Sequence, residues 1–163
     1  MKQTAFVELP KMLPDDFRTP DWLFDRLDQE FAFTWDLACT RNNCRGRLGC
    51  GYYFDEEYDG LAEDWRSQKG PLWLNPPYSE TGKWVAKAAQ AVRESGETIV
   101  ALVPADPGAR WWSHVLQATQ IRFLRHRLDF TSGSGKIYHS RVPSAVVVWS
   151  QLGGPPAHLY ISR

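Results

Sequence analysis

Asn75, Pro76, Pro77 and Tyr78 form a consecutive tetrad suited to gripping a planar base that carries an exocyclic amine. Asn75 offers a side-chain carbonyl that accepts from the amine. Pro76 has no N–H, but its carbonyl is a second acceptor. Tyr78 supplies a ring for stacking, and Pro77 restricts the backbone between them. Pro71, Leu72, Trp73 and Leu74 before the tetrad read as a short buried strand, and Ser79, Glu80 and Thr81 after it as a helix start. The tetrad thus falls at the carboxyl end of a strand, where open α/β sheets bind ligands. Two prolines also end ordinary strands, and Asn also opens ordinary turns, so the rest of the chain has to decide.

The elements that must position these residues can be read in turn. Thr19 as N-cap and Pro20 in the first turn predict a helix in which Trp22, Leu23, Leu27 and Phe31 recur near helical spacing. Residues 33–37 read as a strand with Asp36 near its end, residues 40–51 as a loop, and residues 52–54 as a short strand. Residues 56–61 read as one helical turn, and Asp64 and Trp65 lie near another short strand. The clearest helix spans residues 81–95, where Trp84, Ala88 and Val92 stack at i, i+4 and i+8 and Gly96 closes the element. Residues 98–103 read as a central strand, 110–118 as a helix, 121–124 as a strand, 129–142 as a loop and 145–149 as the last strand. Strands alternating with helices predict a mostly parallel sheet of up to seven strands, with helices on both faces and an antiparallel end. Residues 1–14 read as a loose arm and residues 151–163 as a tail.

The 163 residues suit a single domain. Acidic and basic residues balance at 19 each, so the field of the whole molecule does not drive binding to a polyanion. The distribution is uneven: residues 53–64 hold six acidic side chains and no basic one. Arg122, Arg125, Arg127, Lys136 and Arg141 fall within residues 121–141 against Asp129 alone. A basic segment of this kind can hold phosphate. Cys39, Cys44 and Cys50 are odd in number and lack the paired C-x2-C spacing. Reduced thiols in a cytosol are expected, and no metal site. No apolar stretch is long enough to span a membrane.

Several pieces then recur in a known order. They are Thr19-Pro20, Asp36-Leu37-Ala38-Cys39, Tyr53-Phe54, an acidic stretch through Asp59-Gly60-Leu61, Asp64-Trp65 and the tetrad. After them come Leu102 to Ala105, Trp111 and Trp112 with His114, Arg125 to Phe130 and Pro143 to Val148. In this order and spacing the chain resembles the phage-type Dam family of DNA adenine N-methyltransferases, over residues 17–149. The resemblance implies a Rossmann-like methyltransferase fold, S-adenosylmethionine as cofactor, double-stranded DNA as partner, a monomer or homodimer, and a phage or prophage protein in the host cytoplasm. It departs from methyltransferases generally in one place. Ala38-Cys39-Thr40 stands where a glycine-rich loop often follows the first strand. That departure argues against a dinucleotide-binding domain and against glutamine N-methyltransferases.

The resemblance also implies roles. Asn75, Pro76, Pro77 and Tyr78 would be the catalytic set acting on a flipped adenine. Thr19, Pro20, Asp36, Ala38, Asp59, Asp64 and Trp65 would border the cofactor. Asp36 would lie near its methionine amino group, Asp59 or alternatively Glu57 near the ribose, and Asp64 and Trp65 at its adenine. Each has a plainer alternative: a helix start for Thr19 and Pro20, a cap for Asp36, a solvated charge for Asp59 and Asp64. Arg125, Arg127, Lys136 and Arg141 would contact DNA, with the loop from Arg41 to Arg47 as a second surface, and Phe130 would wall the adenine pocket or fill the core. An RNA or protein-amide acceptor, or an inactive DNA-binding relative, are the rival readings.

Overall fold

The alternation of side chains along three strands sorts the core into two layers. We number the strands β1–β10 and the helices α1–α3 in chain order. In β5 (Ile99–Pro104), Ile99, Ala101 and Val103 face one side and Val100 and Leu102 the other. In β9 (Ser144–Trp149), Ala145, Val147 and Trp149 oppose Val146 and Val148. In β4 (Leu72–Leu74), Leu72 and Leu74 oppose Trp73. Strands apolar on both faces belong inside a sheet that is covered on both sides. The computed structural model, which describes residues 17–41, 43–45, 52–55, 57–151 and 157–163, shows that arrangement. The expected arm, 1–14, and Asn42, Arg47, Cys50 and Glu56 lie outside the described residues.

The main sheet has seven strands in the order β10-β6-β9-β5-β4-β2-β3. It adds β2 (Trp35–Asp36), β3 (Tyr52–Tyr53), β6 (Gln120–Leu124) and β10 (Ala157–Ile161) to the three above. The pairs β3/β2, β2/β4, β4/β5 and β6/β10 are parallel, whereas β9 is antiparallel to both β5 and β6. The expected antiparallel pairing of the last two strands is present, but it is not at the end of the sheet. β9 lies inside, and the edge beyond β6 is the parallel strand β10, formed from residues read as tail.

On one face, α2 (Thr81–Ser95) buries Trp84, Val85, Ala88, Ala89, Ala91 and Val92, and the short α3 (Trp112–Val115) adds Trp112 and Val115. Fully burying a side chain such as Val85 contributes about 1.5–3 kcal/mol. Gly96 ends α2 at φ 79°, donating its N–H to the Val92 carbonyl at 3.0 Å. On the other face lies α1 (Asp21–Phe31), burying Leu23, Phe24 and Leu27. Its N-cap is Pro20, not the expected Thr19, and no side chain caps it.

Beside α1 sits a second sheet, β1-β7-β8, all antiparallel: β1 (Phe17–Arg18), β7 (Asp129–Ser132) and β8 (Ile137–His139). The stretch 129–142, read as a loop, is therefore largely a hairpin. Residues 110–118 form only the single turn of α3, and the strand expected near Trp65 is a short 3-10 helix, Trp65–Ser67.

Candidate functional site

Two adjacent parallel strands deliver the main candidates to one place. In the β2/β4 pair, Asp36 lies opposite Trp73, and the Leu37 N–H donates to the Trp73 carbonyl at 2.9 Å. Asp36 therefore ends β2 beside the residues that lead into Asn75. From β2 the chain crosses to β3 on one side, while from β4 it crosses to β5 on the other. The crevice between β2 and β4 is thus the switch point of the sheet, where ligands bind in α/β folds.

Asn75 is oriented by the small sheet. Its Nδ2 donates to the Phe17 carbonyl of β1 at 3.2 Å. A carbonyl accepts only from the amide's N–H, so Oδ1 is left as the acceptor at the other end. Pro76 is buried, Asn75, Pro77 and Tyr78 are half-buried, and the short helix Tyr78–Glu80 leads into α2. The Tyr78 ring meets Phe130 of β7 edge-on, with centroids 6.0 Å apart. Phe130 in turn packs against Phe17 at 5.7 Å. Phe130 is thus both a core side chain and the support behind Tyr78. Burial pushes the Tyr78 phenol up from its usual range. Its hydroxyl and Ser144 Oγ are both buried and close enough for Ser144 to act on the phenol, but they are not in hydrogen-bonding geometry.

Asp36 is 2% exposed. Its Oδ2 accepts from the Arg45 N–H at 2.9 Å and its Oδ1 from the Ala38 N–H at 3.3 Å. Burial pushes its carboxyl up to about 7, although these N–H groups pull the other way. Arg45 was read from the sequence as part of a surface loop, but it is 3% exposed. Its guanidinium pairs with Asp21 at 2.8 Å, donates to the Thr19 carbonyl and lies over the Phe24 ring. Through Arg45, buried Thr19 is joined to the loop after β2. Pro20 instead borders a cavity of about 450 Å³ with Trp22, His126, Arg127 and Arg163.

The acidic stretch is drawn against the same loop. A Cβ on Gly60 would stand 2.2 Å from the Leu37 carbonyl and 2.9 Å from the Trp84 ring, so only glycine permits this approach. Lys87 of α2 clamps the segment, donating to the carbonyls of Gly60 (3.1 Å), Leu61 (2.7 Å) and Glu63 (2.5 Å). Asp59, exposed, accepts from the Leu61 N–H at 2.9 Å. The sequence reading missed Asp55. It is the buried acid just past β3, and Phe54 before it accepts from the Cys39 N–H. Its position at a strand end was the available signal.

Asp64 and Trp65 are placed differently. Asp64 is exposed, and both its oxygens are taken by Arg66 at 2.8 and 2.9 Å, which pulls its carboxyl down to about 2. Trp65 is 1% exposed, stacks on Trp84 at 6.0 Å and donates to the Gly60 carbonyl. It is a core side chain one layer behind Gly60, not a ring open to a ligand.

The four basic candidates are all exposed and all lie on the connection from β6 to β9. That connection leaves and re-enters the sheet at the carboxyl end of β2, β4 and β5, on the side of the tetrad. Arg125 lies over the Tyr160 ring and Lys136 over Tyr138. Arg122, by contrast, is nearly buried and pairs with Glu30 of α1.

Comparison with known proteins identifies the family. Residues 7–162 match the family described as DNA N-6-adenine-methyltransferase (Dam). A DNA N-6-adenine-methyltransferase of Haemophilus phage HP1 (strain HP1c1) is 27% identical over 120 residues, 71% of this chain and 66% of that protein. One from Escherichia phage T1 is 28% identical over 109 residues, 66% of this chain and 43% of that protein. The chain thus spans less than two thirds of either relative.

Proposed function

Because the chain belongs to the DNA N-6-adenine-methyltransferase (Dam) family, we propose that it transfers a methyl group from S-adenosylmethionine to the exocyclic nitrogen of adenine in DNA. The observation that carries this reading is the pairing of β2 with β4, which sets Asp36 beside the strand that leads into Asn75. On this reading the main sheet is a Rossmann-like methyltransferase sheet within a single domain, and the connection from β6 to β9 faces the DNA.

The residues after β2 and β3 fit the cofactor. Asp36 makes no ion pair among the described residues, and a buried carboxylate satisfied only by N–H groups suits an ammonium ion. Ala38 keeps the loop small, and Asp55 and Asp59 supply acceptors for ribose hydroxyls. Asp64 would reach a ligand only by exchanging Arg66. The cofactor supplies a methyl group on a sulfonium sulfur, a good leaving group.

The protein's own task is to prepare the amine. Adenine must leave the duplex to reach the tetrad. Tyr78, braced by Phe130, stacks on the flipped base, a contact worth about 1–3 kcal/mol. The amine lone pair of free adenine is delocalised into the ring, so the nitrogen is a weak nucleophile. Asn75 Oδ1 and the Pro76 carbonyl accept its two N–H groups and favour a pyramidal nitrogen with the lone pair turned outward. Both acceptors also stabilise the positive charge that develops on nitrogen. The surplus proton then passes to solvent. Fixed geometry and electrostatics thus carry the rate.

Labelled S-adenosylmethionine incubated with unmethylated DNA, followed by nucleoside analysis, tests the proposal. The wild type is expected to yield labelled N6-methyladenine, and Asn75→Ala to lose about 100-fold or more of that rate. Cofactor binding without label in any DNA would refute the acceptor and turn attention to RNA or protein amides.

A further inference from the structure

The loop after β2 also gathers three soft and hard donors that the methyltransferase reading leaves without a joint role. A carboxylate oxygen of Asp36, Cys39 Sγ and Cys44 Sγ all lie within 4.8 Å of one another. Asp36 and Cys44 are buried and Cys39 is half-buried. We propose that Asp36, Cys39 and Cys44 form a binding site for a thiophilic divalent cation such as zinc.

The geometry is close to what such an ion requires. At zinc–sulfur distances of about 2.3 Å, two ligands of a tetrahedral centre stand about 3.8 Å apart. The three donors therefore need to close by only about 1 Å. The backbone already holds them. The Cys44 N–H donates to the Thr40 carbonyl at 3.0 Å, turning the chain back so that Cys44 returns toward Cys39. The Cys39 N–H and Sγ–H both donate to the Phe54 carbonyl, at 3.1 and 3.3 Å. Asp36 is fixed by N–H groups from both ends of the turn, Ala38 and Arg45. Carboxylate ligands held by second hydrogen bonds are the usual pattern in metal centres. Spacing alone hid this site, since Cys39 and Cys44 are not a C-x2-C pair and the third ligand precedes them on the strand.

Binding is a proton exchange, not a redox step. Each thiol gives its proton to solvent as its sulfur bonds the ion, and Asp36 contributes as carboxylate. Because Asp36 is also assigned to the cofactor, metal and cofactor should weaken each other's binding equally. That antagonism rests on the proposed function, whereas metal binding itself does not.

The test uses the full chain, kept reduced, titrated with cadmium or zinc alone. Cadmium should produce a thiolate charge-transfer band that saturates at one ion per chain. Cys39→Ser and Cys44→Ser should each remove the band, and Cys50→Ser should keep it. Should the buried Cys44→Ser variant fail to fold, thiol alkylation of the wild type decides. One equivalent of zinc should protect Cys39 and Cys44, as mapped by peptide mass, and leave Cys50 at its metal-free rate. No band, no protection, or equal dependence on Cys50 would overturn the site. Cofactor binding measured with and without zinc then tests the antagonism separately.

Discussion

At the scale of single residues, Asp36 carries the sharpest expectation. A cation docking on it needs the carboxylate ionised, and burial holds that carboxyl up to about 7. Below that value the ionised fraction grows about tenfold per pH unit. Affinity for S-adenosylmethionine should therefore rise from about pH 5 to about pH 7 and level off, and Asp36→Asn should flatten the profile. A wild-type affinity independent of pH over that window, by calorimetric titration, would remove Asp36 from the cofactor site. The sign for stability is opposite. A carboxyl whose folded pKa lies above its unfolded value of about 3.9 contributes stability below that value and loses it as pH rises through about 7. Asp36→Asn should thus gain on the wild type across the same interval in thermal unfolding. The strand-end placement of Asp36 and the tetrad was legible because it resides in local order: strand, then polar residue. Arg45 was not, since a buried arginine is recognisable only by partners such as Asp21 and the Thr19 carbonyl, which lie far back in the chain.

Elements show where local pattern suffices and where it stops. α2 was readable because its apolar stripe and its closing glycine are both local signals. The Trp65–Ser67 helix was not, because one turn has no periodicity to read. The contact between the acidic segment and β2 was equally hidden, since Gly60 looks like any turn glycine. It is the point where the 59–63 segment meets the Leu37 carbonyl. Gly60→Ala must push the two apart, with a cost of about 1–3 kcal/mol. Urea unfolding should show a lower midpoint at unchanged slope, and cofactor binding should weaken with it. An unshifted midpoint would mean that the segment moves aside freely. Lys87, which clamps the same turn from α2, explains why a long helix behind the sheet matters to a loop at its rim.

Over the whole molecule, balanced charge hides a one-sided surface. Arg125, Arg127, Lys136 and Arg141 share one connection at the rim that carries the tetrad. If Arg127 meets a phosphate, Arg127→Ala should reduce the slope of log affinity for DNA against log salt by about 1. An unchanged slope would place Arg127 off the DNA path. Topology was the least legible layer. The parallel order could be inferred from alternating strands and helices, but the partnership of Phe17 with Ser132, and of Ala157 with Gln120, joins segments that carry no mark of each other. One such partnership also sets a timetable. Among the described residues β6 pairs with β9 and β10, so although it precedes β9 in the chain it joins β5 and the strands beyond through β9. A nascent chain that has emerged only to Leu128 holds β5 with an open edge and apolar faces. Until residues 144–149 arrive, that edge is a template for another chain. Sheet closure therefore waits on residues 144–149, and a polypeptide still lacking them is the form most open to pairing with another chain.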